Sequence, residues 1–481
     1  MSTENKKSQG ELLSEKLTFT LGNCWEKVTQ RERAKLFTFA EEYKAFIHEA
    51  RTPYLFVDKC VSMLHKCGFL DVKQFYTSDK AAKPGDGVYQ TVKEKSLFIA
   101  VMGKQPLSYG VNIICAHCDS PHVGLKTNPL YENSDLSFFD TYYYGGIKYY
   151  QWAAIPLAMH GNFFDADGTR RQISLGNGSD EPVFTITDLL PHLAEDQMKK
   201  TASDFIDAES IDILVGSQPY ADKKISDRVK LNVLRILNDK YGMTEKSFAN
   251  ADISFVPAFH AKNVGFDGSM IGAYGHDDKS CAFAALQAAL SFAGSSEPGN
   301  NGDTIPEKTI MCLFLDKEEV GGYYPYIRQF KYFLQSLCSS GIDPYWVLSV
   351  SSIISADVNA AFDPNYADVY DARTAPHLGK GIAISKYGTG NFAEMDFCQE
   401  IQNIFDREKI QWQYGGWGKP GKGGAGTMAH AFAEYAMNTL DCGIPVLSMH
   451  SPFEVISKVD LWTAYRAYKA FFAYCGATVQ S

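Results

Sequence analysis

Residues 307–319 read Glu-Lys-Thr-Ile-Met-Cys-Leu-Phe-Leu-Asp-Lys-Glu-Glu. The run from Ile310 to Leu315 is apolar at every position, so it offers no polar face. A strand with one wet face alternates, whereas a strand covered on both faces does not. The run then stops abruptly in acids, at Asp316, Glu318 and Glu319. In α/β sheets, ligands bind beyond the carboxyl ends of the strands. This one stretch therefore points to a buried strand of an α/β sheet and to a site at its end.

Working outward, VNIICAHC (111–118), GIAISKYG (381–388), IQWQYGG (410–416) and IPVLSMHS (444–451) read as further strands. DDKSCAFAALQAALSFAG (277–294), MDFCQEIQNIFDRE (395–408) and KVDLWTAYRAYKAFFAYC (458–475) carry helical spacing. Residues 23–69 read as two helices, the second opened by Thr52-Pro53. Such alternation predicts an α/β fold, a mostly parallel sheet flanked by helices. Residues 121–259 differ. They are aromatic and irregular, with YYYGGIKYYQW (142–152) and turn signals DADGT (165–169) and GNGSD (176–180), and they read as a mostly β insert. The strand ISFVPA (253–258) is expected to mark the return of the alternation, and SSEPGNNGD (295–303) a surface loop. The expected domains are residues 1–120 with 260–481, and the insert 121–259.

A chain of 481 residues with 45% hydrophobic and 21% charged content can bury a large core and accommodates two domains. Its net charge of −10 argues against nucleic acid or an anionic membrane as partner, since both need a basic face. The first residues lack the apolar stretch of a leader, and no run is long enough to span a bilayer. The 11 cysteines are scattered singly, the pattern of reduced thiols, so a cytoplasmic protein is expected.

Residues 113–121, IICAHCDSP, carry two competing signals. Cys115 and Cys118 form C-x-x-C; His117 and Asp119 form H-x-D. The thiol reading is weak, because a structural zinc site needs four ligands and no second C-x-x-C occurs. Other strand ends add to the imidazole reading: Asp277 and Asp278, then Asp316, Glu318 and Glu319, then Asp357, then His450. Two imidazoles and several carboxylates without thiolates suit Zn, Mn or Co. Such a set can hold two ions sharing a carboxylate, which clamp a substrate carbonyl and generate hydroxide at neutral pH. In the doublet Glu318-Glu319, one acid can bind metal while the other accepts a proton. Gly416 to Gly423 nearly matches a phosphate-binding loop, but Gly423 stands where the hydroxyl residue belongs.

In order, H-x-D-S-P, G-x-D-D-K, D-K-E-E-V-G, S-A-D-V-N-A and S-M-H-S resemble the aspartyl aminopeptidases, metallopeptidase family eighteen, and most their bacterial branch. The resemblance runs from about residue 53 to 475. It implies a metalloaminopeptidase that removes the N-terminal residue of peptides, with acidic first residues preferred and two Zn²⁺ per chain. His117 and Asp357 would hold one zinc, Glu319 and His450 the other, and Asp277 would bridge them. Glu318 would be the general base, and Asp119 the support of the His117 ring. A substrate-binding role falls loosely on Lys386. The insert would be a dimerisation domain, and the chain a homo-oligomer, a dodecamer built from dimers. The sequence departs from the family pattern in Cys118 for Thr, Gly322 for Ser, and Asp196 where some relatives carry a second histidine after His192. Two other readings remain: a related di-metal carboxypeptidase or deacylase, and a non-catalytic binding or assembly protein on a peptidase fold.

Overall fold

Strand Thr309–Leu315 is buried along its whole length. It pairs antiparallel with Ser96–Val101 and parallel with Val111–His117. The structure is a computed structural model that describes residues 7–74, 82–293, 305–339, 341–388, 391–416, 418–419 and 427–476. The loop expected at 295–303 and most of the glycine-rich stretch 416–423 lie outside the described residues.

The central sheet runs Leu70–Asp71, Gly87–Val92, Ser96–Val101, Thr309–Leu315, Val111–His117, Ser352–Ser355, Asn438–Gly443, Ile382–Ser385, Trp412–Tyr414. It is antiparallel only around Ser96–Val101 and between Ile382–Ser385 and Asn438–Gly443, and parallel elsewhere. This is the expected mostly parallel α/β sheet. Side chains alternate across it: Ile114 and Ala116 enter the core beneath one face, Ile113 and Cys115 the core beneath the other. Helices Gln30–Glu49, Pro53–Lys66, His276–Leu290, Met395–Arg407 and Lys458–Tyr474 cover the first face, and Tyr324–Leu337, Pro344–Ser349 and Ala429–Ala433 the second. Apolar cover on both sides is why Ile310–Leu315 reads as an unbroken apolar run.

The first expected helix is divided into Cys24–Lys27 and Gln30–Glu49. Thr29 causes the break: its hydroxyl accepts the Glu32 N–H at 3.2 Å and caps a new helix. A further helix, Gln9–Leu17, has no buried residue.

A second sheet of seven strands is antiparallel throughout, in the order Arg170–Leu175, Leu157–Phe164, Asp252–Pro257, His122–Asn133, Leu136–Tyr144, Ile213–Gly216, Thr185–Ile186. It has its own core around Trp152, Phe139, Phe163 and Phe255, and one helix, Arg228–Tyr241. The strand expected to resume the alternation thus belongs here, with Ser254 opposite Gly124. An apolar run states that a strand is buried, not which sheet buries it. The buried guanidinium of Arg51 ties this sheet to the helical layer, donating to the carbonyls of Pro257 and, at 2.7 Å, Phe259.

A third, smaller sheet joins Lys262–Val264, Met270–Ala273, Glu454–Ser457, Pro445–Leu447 and Asn359–Ala360. It lies beside the rim where Val111–His117 ends. No helix among the described residues is long and apolar enough to cross a membrane.

Candidate metal centre

Three neighbouring parallel strands set one half of the site. Leu315 lies opposite His117, and Ser355 opposite Cys115. The residues just past each strand therefore reach one rim: Glu318 and Glu319, His117, and Asp357. His117 is buried. Its Nδ1 stands 3.0 Å from the Asp119 backbone carbonyl and 3.4 Å from the Asp119 carboxylate. A ring that donates Nδ1–H to that carbonyl presents a bare Nε2 to a cation. Nε2 faces Asp277 Oδ1 at 3.0 Å and Asp357 Oδ1 at 3.8 Å.

Asp119 does more than face the ring. Its Oδ1 accepts the Glu318 N–H and its Oδ2 the Glu319 N–H, both at 3.2 Å. Oδ2 also accepts the Tyr144 hydroxyl at 2.7 Å. The carboxylate thus fixes the backbone that carries both glutamates.

The other half comes from the third sheet. Asp277 follows Met270–Ala273 past Gly275, whose φ of 79° suits glycine. His450 sits between Pro445–Leu447 and Glu454–Ser457 in the left-handed region, with φ of 64°. Its Nε2 lies 3.2 Å from Asp277 Oδ2 and 3.4 Å from Glu319 Oε2. Its Nδ1 meets the Gly146 carbonyl at 2.9 Å. Asp277 therefore turns one oxygen to each histidine.

Charge on this rim is unbalanced. Burial, with Asp357, Asp119 and Asp277 nearby, pushes Glu318 up to about 8. Burial and then Asp277 push Glu319 up, and burial raises Asp357. Burial opposes a charge on His450, yet Asp277 and Glu319 raise it to about 10. Burial also opposes ionisation of Asp277, but the hydrogen bonds from His117 and His450 hold it below the usual range. Carboxylates that resist ionising beside one another are what a bound cation would relieve. Glu319 Oε1 is buried with no hydrogen-bond partner, an open ligand atom. Ligand atoms of His117, Asp277 and Glu319 all lie within 4.8 Å of one another, as do those of His117, Glu318 and Asp357. The donor set fits divalent cations of the Zn, Mn or Co kind.

The rim opens into a cleft of about 700 Å³ lined by His117, Asp277, Glu318, Glu319, Asp357 and His450, with Tyr323, Tyr324, Val358, Ala360, His430 and Met449 above them. Thus His117, Asp277, Glu318, Glu319, Asp357 and His450 meet, with Asp119 beneath. Lys386 does not line this cleft; its ammonium lies 5.3 Å over the Tyr387 ring. Asp316 turns away and accepts the Tyr326 hydroxyl at 3.0 Å. Cys115 packs on Met428 and Cys118 donates to the Lys95 carbonyl, and burial pushes both thiols well above their usual range.

Sequence reasoning missed three groups. Glu454 is buried, and its two oxygens accept the His450 N–H at 2.7 Å and the Asp277 N–H at 3.1 Å. The available signal was an acid opening the short strand Glu454–Ser457, four residues after His450. The Tyr144 hydroxyl was hidden in a run of three tyrosines. The Gly146 carbonyl is backbone and leaves no mark in a sequence.

Comparison with known proteins gives the family of the chain. Residues 46–472 match the sequence model of the aminopeptidase I zinc metalloproteases (M18). A Clostridium acetobutylicum protein named M18 family aminopeptidase 1 is 38% identical over 464 residues, 93% of this chain and 97% of that one. The crystal structure of an M18 aminopeptidase from Thermotoga maritima superposes with a TM-score of 0.85 at 36% identity, covering 95% of this chain and 99% of that one. The S. cerevisiae mApe1 dodecamer shares the fold, with a TM-score of 0.71 at 21% identity, covering 90% of this chain and 96% of that one.

Proposed function

The chain belongs to the M18 family and is a zinc metalloaminopeptidase, and on that premise we propose a two-cation centre bridged by Asp277. The observation that carries this is the Asp277 carboxylate, one oxygen 3.0 Å from His117 Nε2 and the other 3.2 Å from His450 Nε2. His117, Asp357 and Asp277 would hold one ion; His450, Glu319 and Asp277 the other. Zn²⁺ is the expected ion, and Mn²⁺ or Co²⁺ suit the same donors. When bound, the ions polarise the scissile carbonyl and acidify the attacking water.

Glu318 then has a defined task. It lines the cleft beside His117 and Asp357, with a carboxylate oxygen within 4.8 Å of their ligand atoms, and burial raises its affinity for a proton. It takes the proton from water during attack and returns it to the leaving amine. Asp119 holds Glu318 by its backbone.

The acidic first residue implied by the resemblance finds no Lys or Arg among the described residues lining the cleft. Val358, Ala360, Tyr323 and Met449 offer apolar contact instead, so neutral and apolar first residues are expected to be cleaved faster. The test is a panel of aminoacyl anilides on the zinc-loaded protein. Faster release from Leu and Ala anilides than from Asp and Glu anilides, with no hydrolysis of N-acetylated anilides, supports this reading. Cleavage of C-terminal or N-acyl amides alone would favour the carboxypeptidase or deacylase alternative, and no hydrolysis at all the non-catalytic one.

We further propose that residues 1–120 and 260–481 form the catalytic domain and that 121–259 is an inserted dimerisation domain within a dodecamer. The fold shared with the yeast dodecamer supports this, as do the exposed Leu189, Leu190, Leu193 and Met198 on the insert. A cytoplasmic location accords with eleven free cysteines. Light scattering tests the assembly: a native monomer at micromolar concentration contradicts it.

A further inference from the structure

The second sheet touches the metal centre at two points, both from one short stretch. Strand Leu136–Tyr144 ends at Tyr144, and Gly145 turns the chain with φ of 72°. A side chain at Gly145 would crowd Pro121 at 3.1 Å, so the turn needs glycine both for its backbone and for the close approach. On one side of the turn the Tyr144 hydroxyl donates to Asp119 at 2.7 Å. On the other, the Gly146 carbonyl meets His450 Nδ1 at 2.9 Å. The Tyr144 ring is fixed by stacking on His122, centroids 4.5 Å apart and 19° from coplanar.

We propose that the strap Tyr144–Gly146 orients both halves of the centre, Tyr144 through Asp119 and the Gly146 carbonyl through the His450 ring. This rests on the ligand assignment above. Each bond acts on a group that itself holds a ligand or the base. Asp119 carries the backbone N–H groups of Glu318 and Glu319 and faces His117. The Gly146 carbonyl accepts Nδ1–H of His450, so in the neutral ring Nε2 is the free ligand atom, aimed at Asp277 and Glu319. Groups placed this way fix the tautomer and direction of a ligand ring, and losing one typically lowers metal affinity or activity about 10- to 100-fold. The second sheet is then a positioning part of the active centre as well as the proposed assembly surface.

Two substitutions separate the points of contact. Tyr144→Phe removes the hydroxyl and keeps the ring stacked on His122. Gly146→Ala places a methyl 3.3 Å from His450 Nδ1 and 3.7 Å from its Cε1, at a residue outside the left-handed region. The ring must give by a few tenths of an ångström. Zinc binding is measured by competition with a chromophoric chelator on the full-length protein, alongside kcat, KM and thermal melting of the zinc-free form. Tyr144→Phe should lower kcat about 10- to 100-fold with KM little changed, and weaken the ion held with His117. Gly146→Ala should weaken only the ion held with His450. Zinc-free melting should stay at the wild-type temperature in both. His117→Ala and His450→Ala run beside them. If those two lose zinc while both strap variants bind zinc and turn over as the wild type does, the strap inference is overturned. If His117→Ala and His450→Ala themselves keep full zinc, it is the ligand assignment that fails. A strap variant that melts earlier without zinc, with zinc affinity unchanged, assigns the strap a structural role and also overturns the inference.

Discussion

The two halves of the metal centre are built differently. The His117 half stands on three adjacent parallel strands and its histidine is buried: the side chain of His117 is 1% exposed. The His450 half stands on a small five-stranded sheet. His450 has a left-handed backbone, its side chain is 35% exposed, and it leans on a carbonyl from another sheet. A ligand on a packed sheet is held by its neighbours, whereas one on a turn depends on a few hydrogen bonds. The ion at His117 should therefore be the tight one, and the ion at His450 the exchangeable one.

The largest effect expected is one that leaves both halves intact. Glu318→Gln keeps size but cannot accept a proton, and should lose about 10²- to 10⁴-fold in turnover while keeping its zinc. Glu319→Gln should instead weaken the ion at His450, with activity partly restored by excess zinc. Zinc analysis with turnover on both variants checks this; zinc lost from Glu318→Gln and kept by Glu319→Gln would reverse the two roles.

Next comes the direct contrast between halves. His117→Ala should lose its ion even in millimolar zinc. His450→Ala should lose the other ion at low zinc and regain part of it at high zinc. Equal behaviour in a zinc titration would break the comparison.

Acid should strain the sheet on which His450 leans. His160 lies buried there, its Nδ1 2.9 Å from the Ser174 hydroxyl, and burial with Arg51 pulls it down to about 3. A histidine whose folded value is depressed contributes stability that is complete above its unfolded value of about 6.5 and is lost as pH falls toward the folded value. The melting temperature should therefore fall between pH 7.5 and 5 more steeply in the wild type than in His160→Asn. Parallel curves would remove His160 as the cause.

The smallest effect is expected at Cys115 and Cys118, which are buried neighbours of the His117 half. The double serine variant should keep its zinc and lose only about 1–3 kcal/mol of stability, the cost of burying hydroxyls. Zinc loss matching that of His117→Ala would restore the thiolate reading.

The contrast between the halves also explains what the sequence revealed. His117, Glu318 and Glu319 were legible because short apolar runs lead to them, and Asp357 because it follows the buried strand Ser352–Ser355. Asp277 and His450 were legible as acid and imidazole, but not the sheet that holds them. Glu454 was passed over because its role is to accept backbone N–H groups, which any acid can do. Tyr144 was one of three adjacent tyrosines, and only the register of Leu136–Tyr144 decides which faces Asp119. The placement of Asp252–Pro257 was missed because pairing with strands as distant as Leu157–Phe164 and His122–Asn133 leaves no local pattern.

The bridging role of Asp277 is the central claim, and counting zinc per chain by native mass spectrometry tests it most directly. The wild type should saturate at two ions, and Asp277→Ala should lose both, since each half surrenders one carboxylate oxygen. A wild type that saturates at one ion, or an Asp277→Ala variant that keeps two, would contradict the account.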